Sequence, residues 1–203
     1  MRRKCLRFVA ICFMFSLSAY GQKITGFSRE STDIVVGAAR FSDYLPLLKG
    51  KRVGILTNQS ALVGGGVQIV DALLKRHVNI VKIFGPEHGF LGIANAGATV
   101  SNDVYSSRKI PVISLYGKHF KPTPADLQDV DVMIYDAQDV GVRYYTDLAS
   151  MQYFMEAAAE NHKPFIILHR PNPIGFYIDG PILDTTSRSL VGMQPIPFVY
   201  AMT

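Results

Sequence analysis

Glu87 is the residue in this 203-residue chain whose surroundings most resemble a reactive site. It stands between Pro86 and His88, directly after an apolar run and between Gly85 and Gly89. Proline fixes one backbone angle and glycine permits tight bends, so a stiff, sharply turned loop presents the carboxyl group. Partial desolvation there would raise its pKa and suit it to donate a proton near neutrality. Asp136 and Asp139 follow a second apolar run, on either side of Gln138. Glycoside hydrolysis commonly places two carboxyl groups across the scissile bond, and Glu87 with either aspartate would supply such a pair. His88 offers a base, a metal ligand or a hydrogen-bonding loop residue, but no HExxH spacing or nearby second histidine singles out a metal. Arg143 could grip a carboxylate with two parallel hydrogen bonds, and Tyr144 and Tyr145 offer apolar faces with polar tips. Arg170 precedes Pro171-Asn172-Pro173 and is similarly placed. Each of these residues also has a structural alternative: Glu87 as a cap or ion-pair partner, Asp136 as a strand end and helix cap, Arg170 as a brace for the double-proline loop.

Elements that would position these groups are legible from hydrophobic periodicity. Runs at 53–56, 80–84, 111–115, 132–135 and 165–168 are rich in Val and Ile and barely alternate, as parallel strands covered on both faces do. Val67, Val70, Leu73 and Leu74 repeat at helical spacing, as do Leu148, Met151, Phe154, Met155 and Ala158, while 126–129 supports only a short helical turn. Strand and helix in alternation predict an α/β fold with an open doubly wound, mostly parallel sheet. Ligand sites in such sheets lie beyond the carboxyl ends of the strands, where all the polar stretches above fall. Gly64-Gly65-Gly66 has neither the dinucleotide nor the phosphate-loop pattern and reads as a turn.

The chain opens with Arg2, Arg3, Lys4 and Arg7, an apolar run from Phe8 to Leu17, and Ala19 and Gly21 about Tyr20. This order predicts a signal peptide over 1–21, too short in its apolar part to span a bilayer, and hence an exported protein, periplasmic or extracellular, with no membrane span after cleavage. Both cysteines, Cys5 and Cys12, fall inside that leader, so a disulfide scaffold, a thiolate metal site and a cysteine nucleophile are excluded from the remainder. The net charge of +5 is largely the leader's: its four basic residues, taken from 21, leave 17 against 16 acidic. A nearly neutral remainder gives no footprint for nucleic acid. Residues 22–50 read as an approach segment and 51–203 as one catalytic domain. The Pro-rich stretch from Gln194 to Thr203 ends where a further helix would begin, which predicts truncation.

The blocks Leu56-Thr57-Asn58-Gln59, Phe84-Gly85-Pro86-Glu87-His88-Gly89, Ser114-Leu115-Tyr116-Gly117, Lys121-Pro122-Thr123, the stretch from Gln138 to Thr146, and Arg170-Pro171-Asn172-Pro173-Ile174-Gly175 occur in an order that resembles the NamZ-type exo-β-N-acetylmuramidases. The resemblance runs from about Phe41 to Thr203. It implies a Rossmann-like catalytic domain, with the family's smaller C-terminal domain absent from this chain. It also implies release of N-acetylmuramic acid (MurNAc) from the non-reducing end of peptidoglycan fragments, with MurNAc-GlcNAc saccharides as partners and neither cofactor nor metal. Glu87 matches the family's leading catalytic glutamate. Asn58, His88, Gln138, Asp139, Arg143, Tyr145, Arg170 and Asn172 match its cleft positions. Departures stand at Leu91, near Ala98 and at His169. Two other readings stay open: a secreted muropeptide-binding module without activity, and a metal-dependent hydrolase using His88 with Asp136 and Asp139.

Overall fold

The computed structural model describes residues 34–105 and 108–202. The signal peptide expected over 1–21 and both cysteines lie outside the described residues.

In chain order the elements are helix α1 (Phe41–Leu48), strands β1 (Arg52–Thr57), β2 (Leu62–Val63) and β3 (Val67–Gln68), helix α2 (Ile69–Leu74), strands β4 (Asn79–Gly85), β5 (Asp103–Tyr105) and β6 (Ile110–Ser114), helix α3 (Pro124–Leu127), strand β7 (Val132–Asp136), helix α4 (Thr146–Glu160) and strand β8 (Phe165–Ile167). Six strands form one sheet in the order β5-β6-β4-β1-β7-β8. All its neighbours pair parallel except β5, which runs antiparallel to β6. The chain therefore works outward from β1 through β4 to β6, then returns to β1's other side for β7 and β8. The connections diverge between β1 and β7, and loops part there to leave a crevice.

Successive side chains of a strand point to opposite faces, and here both faces are covered. Val53, Ile55, Val132 and Ile134 join α1 and α2 through Tyr44, Leu48, Ile69 and Leu73. Leu56, Met133 and Tyr135 join Leu127 of α3 and Phe154 of α4 on the other side, where Phe84 and Phe154 meet edge to face at 5.1 Å. This two-sided burial is why the strand runs do not alternate. The mostly parallel α/β sheet and its five parallel strands agree with the pattern read from periodicity.

Two elements differ from that reading. Residues 41–48, taken as part of an approach segment, form α1 and bury Tyr44 and Leu48 in the sheet's core. The helical signal is present in Phe41, Tyr44, Leu45 and Leu48, but Pro46 inside the helix and its two-turn length mask it. Bonds to backbone carbonyls fasten the segment: Gly37 N–H donates to the His169 carbonyl at 2.7 Å, and the Tyr44 hydroxyl donates to the Ala38 carbonyl at 2.9 Å. Strand β5 has only three residues and an exposed Val104, too little for a periodic signal.

The remaining local chemistry follows sequence rules. The three glycines form the turn between β2 and β3, with Gly65 and Gly66 both at positive φ. Thr123 and Asp126 make a reciprocal capping box that starts α3 two residues before the expected turn. Beyond β8, residues 168–202 are largely irregular, tied back by isolated bridges of Val199 to Val142 and Asp179.

Candidate active site

Each strand that ends at the crevice delivers one polar loop. The loop after β4 holds Glu87, and Gly89 N–H closes it on the Pro86 carbonyl at 2.9 Å. His88 adopts φ +66°, a left-handed conformation that a residue with a Cβ rarely takes. Its ring Nδ1 lies 2.7 Å from the Ala94 carbonyl, so Nδ1 carries the proton and donates. That bond holds the strained turn and leaves Glu87 aimed inward.

Glu87 is surrounded by donors. Its Oε1 accepts from Gly97 N–H at 3.0 Å and its Oε2 from the Thr146 hydroxyl at 2.8 Å, with the Tyr116 hydroxyl also bonded to the carboxylate. Partial burial pushes its pKa up, but these three donors and the nearby His88 outweigh it, and the group is held below the ordinary glutamate value. The expected rise is thus reversed, because desolvation is incomplete and every neighbour donates.

A cleft of about 130 Å³ opens over Glu87 between Asn58, Gln59, His88, Tyr144, Tyr145 and Thr146, with Asp147 at its floor. Asp147, in the first turn of α4, is 4% exposed. Its Oδ2 accepts from Asn58 Nδ2 at 3.0 Å, and the Tyr145 hydroxyl bonds the same carboxyl group. Burial drives its pKa up to about 7, Asp139 adds to the rise, and Asn58, Tyr145 and His88 oppose it. Burial also raises the Tyr145 phenol, to about 12, with Asp147 reinforcing the shift.

Of the residues picked out in the sequence, Glu87, His88, Asn58, Tyr144 and Tyr145 line this cleft together. The others brace it. Asp136 is fully buried, and Arg170 Nε and a terminal nitrogen donate to its two oxygens at 2.5 and 3.1 Å. A third bond from Arg170, to the Leu62 carbonyl at 3.1 Å, completes the cross-brace. Neither side chain is presented to the cleft, because a buried aspartate needs its counter-charge.

Asp139 accepts from Val140 N–H at 2.7 Å, Gly141 N–H at 3.1 Å and the Tyr200 hydroxyl at 2.7 Å, which folds its own turn and faces it toward a separate hollow. Gln138 donates to the carbonyls of Asp139 and Pro171 at 2.7 and 2.9 Å. Arg143 donates to the carbonyls of Pro181 and Ile196 at 2.8 and 2.6 Å. Asn172 donates to the carbonyls of Tyr200 and Met202 at 3.1 and 2.7 Å. These four side chains spend their bonds within the protein, on backbone groups and, for Asp139, also on the Tyr200 hydroxyl, where the sequence reading placed them against water or sugar.

Other hollows among the described residues, of about 300, 400 and 480 Å³, hold no two facing carboxyl groups. That of about 480 Å³ is an apolar groove along Phe90, Leu91, Ile93 and Val104 that shares His88 with the polar cleft. Among the described residues no three His, Cys, Asp or Glu side chains gather to hold a metal ion, and no helix is long and apolar enough to cross a membrane.

Gly141 has φ +78°, and a Cβ there would collide with the Asn172 side chain. That side chain is itself fixed by its bonds to Tyr200 and Met202. Gly141→Ala should therefore destabilise the fold by about 1–3 kcal/mol, read as a lower denaturation midpoint. An unchanged midpoint would mean that this turn relaxes without cost.

Sequence reasoning missed Asp147, Thr146 and Tyr116. An acid in the first turn of a helix is the ordinary complement of the helix dipole, so Asp147 carried no distinctive signal. Only its enclosure by the β1 and β4 loops separates it from a surface cap.

The model for the N-terminal part of exo-β-N-acetylmuramidase NamZ matches residues 53–203. Peptidoglycan β-N-acetylmuramidase NamZ of Bacillus subtilis (strain 168) is 46% identical over 163 residues, 79% of this chain and 39% of that protein. Two crystal structures of DUF1343 family proteins from Bacteroides fragilis NCTC 9343 superpose with TM-scores of 0.73 and 0.74, each at 42% identity. They share 84% and 82% of this chain, and 44% and 42% of their own. The chain thus spans about two fifths of the length of the curated relative it matches.

Proposed function

The chain belongs to the family of the N-terminal domain of exo-β-N-acetylmuramidase NamZ, and from that premise we propose that its cleft hydrolyses the glycosidic bond of a terminal N-acetylmuramic acid residue in peptidoglycan fragments. The observation that carries the reading is Glu87: an anionic carboxylate, locked by donors on both oxygens, at the carboxyl ends of the central strands. Such a charge steadies the oxocarbenium-like carbon of a departing sugar or takes a proton from attacking water. Tyr144 and Tyr145 offer ring faces to the sugar, with Asn58 beneath them. Water supplies a hydroxyl to the anomeric carbon and a proton to the leaving oxygen, so the site asks for no cofactor. The basic and apolar leader supports action outside the cytoplasm, in turnover or recycling of the wall.

A chromogenic MurNAc glycoside, incubated with the protein with and without chelator, tests this. We expect release of the chromophore at equal rates in both arms. Binding without release would make the chain a muropeptide-binding module, and release abolished by chelator would make it a metal-dependent hydrolase. Either result rejects the proposed reading.

A further inference from the structure

Glu87 cannot easily serve as the proton donor of its own cleft. Gly97 N–H, Thr146 O–H and the Tyr116 hydroxyl all donate to its carboxylate at rest, so the group stands ionised before the reaction and has no proton to give. Hydrolysis still requires a proton for the leaving oxygen. The cleft contains one other carboxyl group. Resting on the glycosidase reading above, we infer that Asp147 is the proton donor of this site and Glu87 the standing anion beside it.

The placement supports this independently of any titration. Asn58 Oδ1 accepts from the Ser60 backbone N–H at 2.9 Å and from the Ser60 hydroxyl, which fixes the amide so that Nδ2 faces Asp147. Only one oxygen of Asp147 is held by that amide. Thr146, the residue next to Asp147, bonds Glu87, so the start of α4 brings both carboxyl groups to the same cleft. The rest of Asp147's surroundings discourage a second negative charge. Burial is nearly complete, and the charge of Asp139 in the β7 loop opposes a further anion here. Tyr135 occupies its backbone carbonyl at 3.0 Å. Arg170 and Arg143 supply it no counter-charge, being committed to Asp136 and to backbone carbonyls away from the cleft. Asn58, Tyr145, His88 and the α4 dipole pull the other way, yet burial prevails and pushes the group up to about 7.

In the step, the bond from the anomeric carbon to the leaving oxygen breaks as that oxygen takes the Asp147 proton. Water bonds to the anomeric carbon and its surplus proton passes to Glu87. Exchange with solvent then restores protonated Asp147 and ionised Glu87, so nothing but water is consumed.

Asp147→Asn keeps the shape and can keep the bond from Asn58 while removing the proton. Release from the chromogenic MurNAc glycoside should fall by about 100-fold or more at pH 6. In the wild type the rate should decline above about pH 7, and the residual rate of the variant should show no such decline. Carbon-13 NMR of the Asp147 carboxyl group, recorded without substrate, should titrate with a midpoint near 7. Stability gives a further readout. A carboxyl group that ionises near 3.8 in the unfolded chain but near 7 in the fold favours folding below the first value, and that advantage disappears as pH rises through the second. Asparagine lacks the titration, so Asp147→Asn should melt progressively higher, relative to wild type, between those two values. A midpoint below 5, or release by the variant within a few-fold of wild type, overturns the inference even if the glycosidase reading stands. A wild-type chain that releases no sugar at any pH overturns that reading and the catalytic role with it, and the substrate-free titration identifies which failure occurred.

Discussion

Glu87→Gln is expected to lower sugar release by about 10²–10⁴-fold while leaving the melting temperature within a degree or two. The glutamine retains the shape and one carbonyl acceptor. The hydroxyls of Thr146 and Tyr116 can rotate to receive its amide, so the loop keeps most of its bonds. What disappears is the fixed negative charge at the point where the anomeric carbon becomes positive. A loss confined to turnover, with sugar binding preserved, would identify a group acting mainly in the transition state. Near-normal release would remove Glu87 from the chemistry and with it the basis of the proposed reaction.

The second large effect lies beneath the cleft. Arg170→Met should destabilise the protein by about 3–5 kcal/mol, because Asp136 would remain buried with no counter-charge and the Leu62 carbonyl would lose a donor. Burial already raises the pKa of Asp136 despite Arg170, so without the guanidinium the carboxyl group will favour its neutral form. The penalty should therefore be larger at pH 8 than at pH 4, since only the charged form needs Arg170. Pairing Arg170→Met with Asp136→Leu should recover part of the loss, as apolar replacement of both partners of a buried pair does. A stable Arg170→Met protein with weakened sugar binding would instead return Arg170 to the substrate-binding role first read from its sequence position.

These two residues mark how far local pattern carries. Glu87 was recognisable because proline, glycine and a preceding apolar strand dictate a stiff turn at a strand's carboxyl end, and those are short-range properties. Arg170 and Asp136 sit at equally suggestive positions, each after a strand. Whether a charged group at such a position meets water or its opposite charge depends on a neighbour 34 residues away. Asp139 and Asn172 differ in the same manner: their side chains close turns and hold the segment at 200–202, a use that no spacing announces. Helix α1 shows a weaker form of the problem, its apolar stripe legible but interrupted by Pro46.

Sequence by itself determined the parallel sheet, since non-alternating Val- and Ile-rich runs that take turns with helical patterns are what strands covered on both faces require, and it placed the polar loops at one end of that sheet. It also determined Glu87 as the presented carboxylate. Tertiary structure alone decided how the two carboxyl groups are shifted. Donors from Gly97, Tyr116 and Thr146 hold Glu87 below the ordinary glutamate value, whereas burial at the start of α4 pushes Asp147 up to about 7. A carboxyl group's charge is set by the solvent and dipoles around it, and those arrive only when distant parts of the chain are brought together.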